Sequence, residues 1–318
     1  MPSSPHSTVL VAGSANLDFV VRAEHIPLPG ETVLGHDFRT FPGGKGANQA
    51  VACARAGGAA TRMLVALGDD AYARPLEDSL RAAGVALEIV RVAQPTGTAF
   101  ICVSNDAQNA ITVAPGANAA LAPQHLPALD GVACLLLQLE TPIDSVTAYA
   151  RAAHAAGIAV ALNAAPARDL PHDLLAALDV LIVNEGELAA ISGIDDDVGA
   201  ALATLATPVV VVTLGARGAC LRERGRFHLQ PGFAVDAVDT TGAGDTFCGV
   251  FIAARADGSD AVTALRRACA AGALACTRAG AQASIPTAAE VETLLRSAPA
   301  ATADALADLA RHCGFAQA

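Results

Sequence analysis

No tryptophan occurs in the 318-residue sequence, aromatic residues make up 3% of it, and charged residues only 16%. With 53% of residues hydrophobic, this balance excludes a disordered chain and predicts a large core of alanine-rich helices and aliphatic strands. No segment reaches the roughly 18 uninterrupted apolar residues that a membrane span requires. No block of Lys or Arg occurs and the formal net charge is -11, which argues against nucleic acid or an anionic membrane as partner and leaves room for a local anion pocket. The eight cysteines include no C-x-x-C pair, so they read as buried free thiols of a reducing compartment. The eight histidines show no i, i+4 pairing and no metal-ligand cluster. The N-terminus lacks the basic region of a signal peptide, and the expected location is the cytoplasm.

Short β-branched runs recur at Val9–Ala12, Met63–Ala66, Val132–Leu137, Ile158–Leu162, Val180–Val183 and Val209–Thr213. Helical spacing separates most of them, at Ala47–Ala56, Tyr72–Ala82, Ile143–Ala155, Asp173–Leu178 and Val198–Leu205, and continues at Ala243–Ala256, Ala261–Arg278 and Ala288–Arg296. Continuously apolar strands alternating with helices predict a mainly parallel sheet covered on both faces, a three-layer αβα architecture. Two regions break the alternation. Segments of about 18–41 and 88–113 carry strand patches without a helix between them and suit a small antiparallel sheet projecting from one α/β domain that spans residues 1–318. A lid over a sugar-sized cleft is the functional reading; an extension of the main sheet edge is the alternative. The tail 297–318 holds one amphipathic stretch, Leu306–Cys313, and is expected to be peripheral.

Two glycine-rich elements carry the chemistry. In VDTTGAGDTFCG (238–249), Gly242 and Gly244 let the backbone approach a ligand, and a helix is expected to start at Ala243. The first amides of that helix would lack intrahelical partners and could hold phosphate charge. Asp245 beside them is an odd phosphate ligand but a sensible acceptor for the proton of an attacking hydroxyl. In FPGGKGANQA (41–50), Gly46 rather than Ser or Thr follows Lys45, so this is no Walker A loop. Gln49 in the third glycine position excludes a dinucleotide fingerprint. The loop can bring amides and Asn48 against a polyhydroxylated ligand, or simply cap a helix.

The pairing of these elements resembles the ribokinase branch of the phosphofructokinase-B family of sugar and nucleoside kinases. In register between and around them stand GSANLD (13–18), QLETP (138–142), ALNAAPAR (161–168), NEGE (184–187), TLGARG (213–218) and TRAGAQAS (277–284). The likeness runs from about Val9 to about Pro286. It implies the ribokinase-like fold and an ATP-dependent transfer of phosphate to the primary 5-hydroxyl of D-ribose, with Asp245 as base. An acceptor such as a nucleoside, deoxyribose or another sugar is the alternative, followed by a non-catalytic sugar-binding sensor.

The resemblance also implies roles for named positions. Asn16, Asp18, Gly44, Lys45, Asn48 and Glu140 would hold the sugar beside Asp245. Thr241, Gly242, Ala243 and Gly244 would form the anion hole. Asn184, Thr213, Leu214, Gly215, Ala216, Arg217, Gly218 and Gly244 would approach ATP, and Glu187 would help place Mg²⁺ through water. Asp239, Thr241, Ala275, Arg278, Gly280 and Ser284 match a monovalent-cation site, with K⁺ as activator. Pairing of two copies through the lid is expected. Two departures stand out: Ala164 where Pro is usual, which bears on loop rigidity, and Ala268 and Cys269 where a polar residue often lines the adenine pocket.

Overall fold

The computed structural model describes residues 8–106 and 108–315. The chain begins with β1 (Thr8–Ala12), β2 (Asn16–Arg22), β3 (Asp37–Gly43) and α1 (Lys45–Val51), which runs on into a π-helical turn over Ala52–Ala56. Next come β4 (Thr61–Leu67), α2 (Ala73–Ala82), β5 (Ala86–Arg91), β6 (Gly97–Val103) and β7 (Asn109–Ala114). The middle of the chain forms β8 (Val132–Leu137), α3 (Ile143–Ala155), β9 (Ala159–Asn163), α4 (His172–Ala176), β10 (Val180–Asn184) and α5 (Glu185–Ser192). The last part forms α6 (Val198–Thr204), β11 (Val209–Thr213), β12 (Gly218–Glu223), β13 (Arg226–Pro231), α7 (Ala243–Ala256), α8 (Ala261–Ala275), α9 (Ala288–Ser297) and α10 (Ala303–His312).

One sheet runs β13-β12-β11-β10-β9-β8-β1-β4-β5, with every pair from β11 to β5 parallel and the β11–β12–β13 meander antiparallel. All six strand runs anticipated from the sequence lie in it. Alternation along β1 shows why they are apolar throughout: Val9 and Val11 join the core under α7 and α8, whereas Leu10 and Ala12 join the core under α3. Each fully buried aliphatic side chain in these layers contributes roughly 1.5–3 kcal/mol relative to its exposed state.

The second sheet has the order β3-β2-β6-β7 and corrects two expectations. It is mixed rather than antiparallel, because β2 pairs in parallel with β6 from Asn16↔Gly97 to Arg22↔Val103. The chain leaves the lid after β3, builds β4, α2 and β5, and returns in the original direction, which a parallel pair requires. The start of the 88–113 segment lies elsewhere: β5 pairs with β4 at the edge of the main sheet. The tail is also less peripheral than expected, since Leu309 and Cys313 are buried in the same core layer as Leu10 and Ala12, at the end where α10 packs on β13.

Candidate active site

Parallel strands end side by side in polar residues at one rim of the sheet, where ligands of open α/β sheets bind. β9 ends in Asn163 and β10 in Asn184, while Gln138 follows β8 and Thr213 closes β11. The starts of α1 and α7 face this rim. Lys45, Asn163, Asn184, Glu187, Thr213, Gly242, Gly244, Asp245 and Cys248 line one shared cleft.

Helix α7 begins at Ala243, as its glycines suggest, with Gly242 as N-cap at φ 75° and no side-chain cap. The expected anion hole divides into used and free amides. Thr241 N–H donates to Asp239 Oδ1 at 2.9 Å, and Ala243 N–H to Thr240 O at 3.2 Å. Gly242 and Gly244, which line the cleft, have amides without a protein acceptor among the described residues. An uncapped helix end of this kind, open to the cleft, supplies positive potential and free donors to an anion.

Asp245 lies in the first turn of α7, 9% exposed. Asn48 Nδ2 donates to its Oδ2 at 2.9 Å and Gln49 Nε2 to its Oδ1 at 3.0 Å. The α1–α7 contact behind them is close: a Cβ at Gly249 would come within 2.6 Å of Gln49 O. Asn48 Oδ1 is buried and has no partner among the described residues, an acceptor available to a hydroxyl of a bound ligand.

Asp18 comes from β2 into the same site, and burial, with Glu140 and Asp245 adding repulsion, pushes its carboxyl up to about 7. Asn16 Oδ1 accepts from Asn118 Nδ2 at 2.8 Å, and Asn118 also bonds both backbone groups of Ala15. Asn118 thus ties the turn after β7 to the root of the lid, a role that sequence reasoning missed. Glu140 departs most from a simple sugar ligand. Its Oε2 accepts from Ser14 Oγ at 2.5 Å and from Lys45 N–H at 3.0 Å, so it caps the start of α1.

Lys45 is the only lysine in the sequence. Its side chain lines the cleft with Glu187 and Asp245, and Asp245 holds its pKa above the usual value against the effect of burial. The ammonium thus stands among the carboxylates of Asp245, Glu140 and Glu187, next to the position that sequence reasoning gave it among the sugar ligands.

Asn184 and Glu187 form a reciprocal cap on α5: Asn184 Oδ1 accepts from Glu187 N–H at 2.8 Å, and Glu187 Oε2 from Asn184 N–H at 2.9 Å. Burial raises the pKa of Glu187, while Lys45 opposes that. Of 213–218, Thr213 lines the cleft and Leu214 is buried, whereas Gly215, Ala216 and Arg217 form an exposed turn. Gly218, at φ 114°, is required by packing, since a Cβ there would collide with the backbone of β13. Farther along, Asp239 accepts from Thr241 N–H and from Gly280 N–H, both at 2.9 Å, and so joins the loop before α7 to the loop after α8. Ser284 Oγ donates to Ala281 O at 2.9 Å, Ala275 is buried, and Arg278 pairs with Glu290.

The chain that carries this uncapped helix start, amide-held carboxylate and polar strand rim is similar to known proteins along most of its length. The profile of the pfkB family carbohydrate kinases covers residues 6–288. A ribokinase of Bacillus subtilis is 39% identical over 293 residues, 90% of this chain and 99% of its own length. A ribokinase of Haemophilus influenzae is 37% identical over 304 residues, 92% of this chain and 99% of its own. The structure of Arabidopsis thaliana ribokinase complexed with ribose and ATP superimposes with a TM-score of 0.84 at 32% identity, covering 92% of this chain and 99% of that one. The chain belongs to the pfkB family of carbohydrate kinases.

Proposed function

We propose that this kinase transfers the γ-phosphoryl group of ATP to the 5-hydroxyl of D-ribose. The observation that supports this reading is Asp245 lining one cleft with the free Gly242 and Gly244 amides, bonded by Asn48 and near enough to Asp18 to raise its pKa. A sugar hydroxyl held by Asp18 and Asn48 would give its proton to Asp245 as its oxygen bonds to the γ-phosphorus. The bond from that phosphorus to the β–γ bridging oxygen breaks, and ADP leaves. Because phosphoryl transfer relies on position and charge stabilisation, the glycine amides and the Lys45 ammonium supply the larger share, and proton uptake follows late.

ATP would lie along Asn184 and Thr213–Gly218. Mg²⁺ neutralises phosphate charge when bound, and the one carboxylate of Glu187, with an oxygen free beyond its capping bond, fits an ion that keeps most of its waters. K⁺ as activator fits the backbone oxygens around Asp239, Ala275, Arg278, Gly280 and Ser284, since Asp239 already draws these two loops together. The lid leaves Phe38, Phe100, Ile111 and Val113 at 61, 54, 55 and 42% exposure, an apolar surface suited to a second copy. A monomeric sedimentation coefficient at micromolar concentration overturns that pairing.

The test is an acceptor panel with ATP, reading ADP release for ribose, deoxyribose, fructose, adenosine, inosine and pseudouridine. Ribose is expected to give the highest kcat/KM. Preference for a nucleoside overturns the acceptor assignment, and no ADP with any acceptor overturns the kinase activity.

A further inference from the structure

We propose that Gln49, oriented by Gln138, is a positioning residue that fixes the rotation of the Asp245 carboxylate; this rests on the kinase reading above. Gln49 and Gln138 are 0 and 1% exposed. Gln49 belongs to the second glycine-rich element and Gln138 opens QLETP, and the resemblance implies no role for either.

Each part of the Gln49 amide has a partner of fixed sense. Oε1 accepts from Gln138 Nε2 at 2.7 Å, and Nε2 donates to Asn163 Oδ1 and to Asp245 Oδ1, both at 3.0 Å. Asn163 is itself oriented, because its Nδ2 donates to Ile182 O at 3.2 Å and so leaves its Oδ1 facing Gln49. A flipped Gln49 would set its oxygen against two acceptor oxygens and its NH2 against that of Gln138, so the relay has one direction. With Asn48 Nδ2 on Oδ2, consecutive residues of α1 hold the two oxygens of one carboxylate.

Packing alone does not call for a glutamine here. Position 49 lies among Ala47, Ala50 and Val51, all fully buried, where an aliphatic side chain would avoid the cost of desolvating an amide. The amide is tolerated because the relay satisfies it, and the relay ends on the carboxylate. The backbone is registered to match: Gly249 of α7 permits contact with Gln49 O, and Cys53 Sγ donates to Gly249 O at 3.2 Å. Rotation of a base away from its hydroxyl lowers turnover without changing how either substrate binds.

The test compares Gln49→Met, Gln138→Glu and Gln138→Met with the unsubstituted enzyme, using its best acceptor from the panel. Gln49→Met is expected to lower kcat about 10- to 100-fold, with both KM values within about threefold. Gln138→Glu should lower kcat comparably, because a carboxylate facing Gln49 Oε1 turns that amide and presents its oxygen to Asp245. Gln138→Met leaves the Gln49 donors in place and should cost about fivefold or less. A merely structural role would lower the melting temperature and leave kcat unchanged in the folded fraction, and kcat within about twofold of normal in Gln49→Met overturns the proposal. If Gln49→Met does not fold, Gln138→Glu carries the same test. An unsubstituted chain inactive on every acceptor would remove the kinase reading. Crystal structures then decide the positioning claim: an Asp245 carboxylate unmoved in Gln49→Met or Gln138→Glu overturns it, and a rotated one upholds it.

Discussion

The two glycine-rich loops look alike in sequence and differ in what their helices offer. At the start of α1 the protein uses its own groups: Lys45 N–H donates to Glu140, Gly46 N–H to Ser14 Oγ at 3.3 Å, and Ala47 N–H to Ser14 O at 2.8 Å. At the start of α7 the amides of Gly242 and Gly244 are left free. The glycines divide in the same way. A Cβ on Gly46 would lie 2.6 Å from Ser14 N, and one on Gly44 2.7 Å from Ala15 Cα, whereas Gly244 has no neighbour within 4 Å. The first loop is glycine-rich because backbones pack against each other there. In the second, Gly242 is fixed by its φ of 75° and by the Ala281 backbone, 3.2 Å from where a Cβ would stand, and Gly244 faces open space at the cleft, so of the two helix starts α7 provides the anion site, while α1 provides side chains.

The largest effect should come from the residue that joins the two. Asp245→Asn removes the proton acceptor and is expected to lower kcat about 1,000-fold, with ADP binding retained by calorimetry. Its new NH2 must meet one of the two amide donors, Asn48 or Gln49, so a stability loss of about 1–3 kcal/mol should accompany it. Turnover near normal would remove Asp245 as base and leave the two loops without a common function.

Paired glycine substitutions test the division directly. Gly46→Ala forces the corner between β1 and β2 apart and should destabilise the chain by about 1–3 kcal/mol, read as a lower urea midpoint. Gly244→Ala meets no protein atom and adds a better helix former, so its melting temperature should hold or rise, with the change worth roughly 0.5–1 kcal/mol. Its cost should appear instead as about a tenfold loss of kcat/KM for ATP. Equal loss of stability in both variants would erase the distinction between the loops.

How much of this could be read from the sequence depends on whether a residue's task is local. The start of α7 at Ala243 and the full span of α3 follow from glycine placement and helical spacing, and both match the structure. The strand β13 escaped notice because charged and polar residues dilute RGRFHLQ, and β5 because it was assigned to the lid. Candidate site residues inside quoted motifs were named by resemblance, but their partners were not. Glu140 as the cap of α1, Asn118 as the tie at the lid root and Gln138 as the anchor of Gln49 all act across separations of 89 residues or more. One signal was available: apolar runs that end in an amide, as at Leu137–Gln138 and Leu162–Asn163, mark parallel strands arriving at a polar rim.

On the acceptor side the smallest change in turnover is expected, and the effect has a pH signature. Folding takes the Asp18 carboxyl from 3.8 to about 7, through burial first and then the charges of Glu140 and Asp245. Between those values the folded chain holds a proton that the unfolded chain has released, so stability from this group is full below the unfolded value and is lost as pH rises to about 7. At pH 8 the ionised group costs at most about 4 kcal/mol, which Asp18→Asn removes. The melting temperature of the ligand-free variant should therefore exceed that of the unsubstituted chain at pH 8, with a smaller difference at pH 5. Sugar binding should run the other way, because hydroxyl donors favour the ionised carboxylate. The KM for the acceptor should fall severalfold between about pH 6 and 8, and this slope should vanish in Asp18→Asn. A pH-independent KM, or melting curves that run parallel across this range, would place Asp18 outside the acceptor site and leave Asn48 and Asp245 to hold the hydroxyl without it.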